Sequence, residues 1–146
     1  MSERQSLTTP DSVEAGALGW ADDIERATVE NTTFRTVLFT GGHLQLTVMR
    51  LAPGEDIGRE VHPDRDQFIR LEAGTARLEL GRTEHEVTES RELAADWAGI
   101  VPAGMWHNVV NTGDDEVKLY SLYGPPEHPA GTVHPTKADS LADPEH

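Results

Sequence analysis

The stretch PGEDIGREVHPDRDQFIRLEAG, Pro53 to Gly74, decides the fold, and PAGMWHNVVN, Pro102 to Asn111, answers it downstream. A Pro-Gly turn opens the first block and Ala73-Gly74 closes it. Between them a short polar segment carries Glu60 and His62, and a strand-like run follows from Gln67 to Glu72. Residues i and i+2 of a β-strand share a face. Glu60 and His62 are therefore expected to project together, with Val61 turned away. The same parity puts Gln67 with Ile69 and Leu71 on the core side, and Asp66 with Phe68, Arg70 and Glu72 outward. Folded against His107, the donor groups of Glu60, His62, Gln67 and His107 meet inside a β-structure, and a metal site is expected there.

The two blocks resemble the paired motifs of the cupin superfamily, G-x5-H-x-H-x3/4-E-x6-G and G-x5-P-x-G-x2-H-x3-N. The second is here Pro102-x-Gly104-x2-His107-x3-Asn111, with Asp96 where its opening Gly would stand. The first is kept in spacing and altered in chemistry, as Glu60-x-His62-x4-Gln67-x6-Gly74. Glu60 replaces the first His, and Gln67 replaces the Glu. The resemblance implies an all-β fold, a cupin β-barrel (double-stranded β-helix or jelly roll) over residues 33–126. Residues 1–32 would form an N-terminal arm and 127–146 a C-terminal tail. It also implies a homodimer, joined through sheet faces and exchanged N-terminal strands.

Imidazole, carboxylate and amide oxygen together suit one divalent ion: Fe(II), Mn(II), Ni(II) or Zn(II), with Cu(II) the outlying option. Two His and one carboxylate have the composition of the facial triad of non-haem Fe(II) oxygenases. Gln67 either completes the shell or hydrogen-bonds a metal-bound water, and the residues leave both open. A single His on a strand is more often a satisfied core or surface side chain than a ligand. Several inward polar donors at the motif positions are harder to explain as packing, because unpaired buried polar groups are costly. The competing reading is a decayed site, with the exchanges at Glu60 and Gln67 leaving a polar-lined pocket.

The rest of the chain reads as short strands between turns, the pattern of a barrel or sandwich. The expected strands are Thr33–Thr40, His43–Leu51, Ala76–Leu80, Thr83–Val87, Trp97–Val101 and Val117–Tyr123, with Thr88–Asp96 as polar connection. Both faces of His43–Leu51 are apolar enough to be covered, which suits a barrel wall against a partner subunit. Met1–Pro10 reads as a disordered tail, and Trp20 as a packing residue. His43, His85, His128 and His134 are expected to face solvent, and Asp64, Arg65 and Asp66 to form a solvated turn. Arg70 is expected to pair with Glu72 or a partner chain, and Tyr120 or Tyr123 to supply a proton.

With 146 residues and no Cys, the chain suits one domain without disulfides or thiolate metal sites. The net charge of −14 argues against nucleic acid, whose phosphates call for Lys and Arg. The N-terminal residues hold no apolar signal region, and no run approaches the ~20 apolar residues of a membrane span. A cytoplasmic protein with no membrane partner is the expectation. Functionally, the donor set points to a small-molecule enzyme with one divalent metal and dioxygenase- or isomerase-like chemistry. The alternative is a non-catalytic binding or sensing module with a structural or lost metal.

Overall fold

A computed structural model describes residues 18–145. Met1–Pro10 and the first part of the expected N-terminal arm lie outside the described residues. The described chain runs α1 (Ile24–Val29), β1 (Arg35–Thr40), β2 (Gln45–Leu51), β3 (Asp66–Ala73), β4 (Ala76–Gly81), β5 (Glu89–Leu93), β6 (Ala98–Val101), β7 (Trp106–Asn111), β8 (Val117–Gly124), β9 (Val133–His134) and α2 (Lys137–Ala142). All strand pairs are antiparallel. A six-stranded sheet, ordered β6-β3-β8-β2-β1-β9, faces a three-stranded one, β5-β4-β7. This is the double-stranded β-helix expected from the motifs.

Parity along the strands builds the interior. Gln67, Ile69 and Leu71 of β3 are buried while Asp66 is exposed. Their cross-strand partners on β8 are Tyr123, Ser121 and Leu119, which in turn face Gln45, Thr47 and Met49 of β2. The apolar members of this set pack with Leu78 and Val109 of the smaller sheet. Gly74 closes β3 with φ +88, and a Cβ there would lie 2.6 Å from the Glu116 carbonyl oxygen. Only glycine fits that approach. Asp96, standing at the motif's missing Gly, adopts φ +74. Asp tolerates this left-handed region better than most residues, so the local conformation is compatible with the exchange.

The face of β2 expected to meet a partner subunit, Gln45, Thr47, Met49 and Leu51, instead lines the barrel interior. Leu46 and Val48 are buried with Leu38 under Trp20, Ile24 and Ala27, so the chain's own N-terminal segment supplies a cover. Trp20 takes the packing role. Asp23 caps α1, its carboxylate accepting from the Arg26 N–H at 3.1 Å.

Thr83–Val87 is not a strand. The return strand is β5, inside the expected polar connection, pairing Glu89 with Leu80 and Leu93 with Ala76. Four of its five residues, in the run ESREL, are exposed. An edge strand that buries almost nothing leaves no apolar alternation in the sequence.

Candidate metal centre

Glu60 does not reach the site by strand parity. It makes an isolated bridge with His107 of β7: the Glu60 N–H donates to the His107 carbonyl at 3.0 Å, and the reverse bond is 2.9 Å. The chain between this bridge and β3 is a loop with a turn at Pro63-Asp64. His62 is held in it by its carbonyl, which accepts from the Gly104 N–H at 2.9 Å. His62 and His107 are 5 % and 0 % exposed. Their Nε2 atoms each lie 3.6 Å from Glu60 Oε2, beyond a hydrogen bond. The ligand atoms of all three lie within 4.8 Å of one another, a group that could hold a metal ion.

The orientation of the rings is as telling as their proximity. His107 Nδ1 lies 3.2 Å from the Met105 carbonyl oxygen, and His62 Nδ1 lies 3.2 Å from Glu127 Oε1. Both oxygens are acceptors, so Nδ1 carries the proton toward each and Nε2 is the atom turned to Glu60. Both Nε2 atoms are buried without a hydrogen-bond partner, and so is Gln67 Oε1. Gln67 directs Nε2 to Ser121 Oγ at 3.1 Å and Tyr123 Oη at 3.2 Å. Metal-binding His residues are commonly fixed in this way by an outer oxygen. Ligand bonds of ~2.0–2.2 Å bring neighbouring donor atoms to ~3–3.6 Å, a range that the two 3.6 Å separations from Glu60 Oε2 meet, so the donor set suits a divalent ion.

A family model described as Cupin domain matches residues 47–123. The chain belongs to the cupin family. Uncharacterized protein YrkC of Bacillus subtilis (strain 168) is 53% identical over 120 residues, 82% of this chain and 64% of that protein. The matched region therefore spans less than two thirds of that relative. The crystal structure of BH2720 from Bacillus halodurans is 46% identical with a TM-score of 0.87, covering 90% of this chain and 99% of that one. Polyketide synthase CurC of Streptomyces cyaneus is 31% identical over 110 residues, 74% of this chain and 66% of that protein.

The electrostatics of the cupin site follow from its burial and its ion pairs. Burial pushes the Glu60 carboxyl up, but His107 and His62 outweigh it and hold the group below its ordinary value. Burial lowers His62, and the carboxylates of Glu127 and Glu60 reverse this, raising it to about 9. Burial likewise raises Glu127, while His62 and Arg65 bring it below the usual range. Arg65 forms an ion pair with Glu127 and so is not a residue of a merely solvated turn. Its role is to fix the carboxylate that fixes His62.

Glu127 was hidden in the expected tail. Gln45 holds that segment inside the cupin barrel: its Oε1 accepts from the Glu127 and His128 N–H groups at 3.0 Å each. Its Nε2 donates to the His128 carbonyl at 2.8 Å. His128 and His134 are consequently buried, 6 % and 4 % exposed, and not solvent-facing. The tail docks because a buried amide satisfies its backbone, and a Pro-rich composition gives no hint of that. His128 packs edge-on against Tyr123 at 5.3 Å, and neither of its ring nitrogens has a partner. Burial, reinforced by the charge of Arg35, lowers it to about 4. Tyr123 lies beside the site, its ring 5.6 Å from that of His62. Tyr120 packs on the opposite side, against Phe68 and the outer cluster, which removes it from the proton-donor candidates. Arg70 pairs with the covered side chain of Glu72 and with the exposed Asp96, and His43 and His85 are exposed.

Proposed function

We propose that this cupin is a small-molecule enzyme holding one divalent metal through Glu60, His62 and His107, with Gln67 Oε1 as a fourth donor. One observation carries the reading: both imidazoles are pinned at Nδ1 and turn unpartnered Nε2 atoms toward one carboxylate. Packing alone gives no reason for such an arrangement. Fe(II), Mn(II), Ni(II) and Zn(II) all suit the donors.

Glu60, His62 and His107 would hold a divalent ion, which would supply Lewis acidity toward a carbonyl or enolate oxygen and toward bound water. The chain supplies the rest. Burial pushes the Tyr123 hydroxyl well above its ordinary value, so it stays neutral beside the site and serves by hydrogen bonding. Glu127 and Arg65 hold His62 in place. The substrate class is an enolisable carbonyl compound, taken through dioxygenase- or isomerase-type chemistry. A relative named as a polyketide synthase fits this class, since polyketide chains carry activated methylene groups between carbonyls.

Two assays on protein loaded with each metal in turn test the proposal. Oxygen uptake with diketones and catechols reads the dioxygenase branch. Anaerobic exchange of α-protons in deuterium oxide reads the isomerase branch. Activity in one of them, abolished by His107→Ala in a folded variant, is expected. Silence in both across all the metals would reduce the cupin to a binding module. A homodimer remains part of this proposal, and light scattering showing a monomer at working concentration would remove it.

A further inference from the structure

Arg35 is buried in an unusual electrostatic setting. It stands opposite Met49 in the β1–β2 register, and only 3 % of it is exposed. Among the described residues no carboxylate pairs with it directly. Its Nη1 donates to Ser140 Oγ at 2.8 Å and to His134 Nδ1 at 3.3 Å. His134 accepts there and donates from Nε2 to Asp143 Oδ2 at 2.8 Å, so the nearest counter-charge in the network is one imidazole away. Among the described residues the Nε of Arg35 is buried without a hydrogen-bond partner. A buried cation that meets only neutral groups is costly, and a docked anion would remove that cost.

The space for such an anion is present. Arg35 borders a cavity of about 120 Å³ shared with Arg59, Lys137, Ser140 and Glu60. Arg59 uses Nε and Nη2 on the carbonyls of Thr83, Glu84 and Glu86, which leaves its Nη1 buried and unpartnered. Lys137 pairs with Asp56. The walls thus bring together three cations and one carboxylate in a chain of net charge −14. With Lys137 offset by Asp56 and a second charge offset by Glu60, the surroundings of the cavity keep one net positive charge. The volume corresponds to a few water-sized groups at ~30 Å³ each, enough for a carboxylate with a short carbon chain. A planar guanidinium matches a planar carboxylate, and a doubly charged phosphate would meet stronger repulsion from Glu60 than a single carboxylate does.

We propose that this cavity seats the carboxylate of a small anionic substrate, with Arg35 as its principal binding group. This names the substrate class of the metal site and rests on that reading for the metal alone; the anion site stands on Arg35, Arg59 and Lys137. The substrate is then a short carboxylic acid whose other functional group reaches the metal beside Glu60.

Calorimetric titration of metal-free and Mn(II)-loaded protein with pyruvate, malonate and inorganic phosphate tests it. Both carboxylates should bind the metal-free protein, and pyruvate should bind more tightly once Mn(II) is present. Arg35→Gln should weaken carboxylate binding by about tenfold or more, and Arg59→Gln and Lys137→Ala by about threefold each. If Arg35→Gln fails to fold, the other two variants decide. Failure of both carboxylates to bind in either state, or unchanged affinity in every folded variant, would overturn the proposal, as would tighter binding of phosphate. Mn(II) binding without carboxylate binding sinks the anion site and spares the metal site; the converse result does the opposite.

Discussion

β2 gives Gln45 and Thr47 to one end of the barrel interior and Met49 and Leu51 to the other. β8 does the same with Tyr123 and Ser121 against Leu119 and Val117, and β3 with Gln67 against Ile69 and Leu71. Both ends are buried to a similar degree. At the apolar end, burial removes hydrocarbon from water at roughly 25 cal/mol per Å², and every side chain adds to stability. At the polar end His62, Gln67, His107 and His128 keep buried atoms with no partner, and each unsatisfied group costs free energy. The apolar end holds the fold together throughout, while the polar end keeps unsatisfied atoms among its ion pairs.

Leu71→Ala separates the two ends most strongly. It should cost about 2–5 kcal/mol in urea unfolding and leave metal affinity in the folded protein unchanged. A parallel loss of metal affinity would mean the two ends are coupled. His107→Ala is the mirror experiment. Metal affinity should fall by more than about 100-fold, well beyond what loss of its contact with Glu60 does to the stability of the metal-free protein. A variant that binds metal normally would remove His107 from the site.

The pH dependence of the metal-free protein sharpens the same contrast. His128 sits at about 4 when folded, below its unfolded value of about 6.5. The unfolded chain therefore binds a proton first as pH falls. Stability present above about 6.5 should be lost toward pH 4, by on the order of 2–3 kcal/mol. His62 has the opposite sign. Its folded value of about 9 contributes stability that is full below about 6.5 and is lost as pH rises through 9. His128→Leu should flatten the acid limb, and an unchanged acid slope would show that His128 does not stay neutral in the fold. The smallest effect concerns Glu127→Ala. Freed at Nδ1, His62 should bind metal roughly 10–100-fold more weakly, with its base-limb contribution reduced. Wild-type affinity in this variant would show that the outer carboxylate is idle.

Much of the apolar end was legible from period alone. Alternation along β3 places its core face, and the spacing of His107 and Asn111 after Pro102-x-Gly104 marks β7, whereas in β2 the more apolar face, Leu46 and Val48, packs outward under Trp20 and Ile24 and the mixed face of Gln45, Thr47, Met49 and Leu51 lines the interior. The polar end was only half legible. Glu60, His62 and His107 stood out by residue type and spacing, although a bridge and a loop bring them together where strand parity was expected to do so. Glu127 follows Pro125-Pro126, and its pairing with His62 and Arg65 is a contact across more than sixty positions that no local pattern encodes. Arg35 sits in a run that otherwise reads as an ordinary strand. A charged residue on the same face as Val37 was a faint signal, and it is the burial and missing carboxylate that give it meaning.

Elemental analysis after reconstitution tests the central claim most directly. The wild-type protein, stripped and then offered Fe(II), Mn(II), Ni(II) and Zn(II) separately, should retain about one ion per chain through gel filtration. The folded double variant Glu60→Ala/His62→Ala should retain none. Equal metal content in the two proteins, or none in the wild type with any of these ions, would contradict the account.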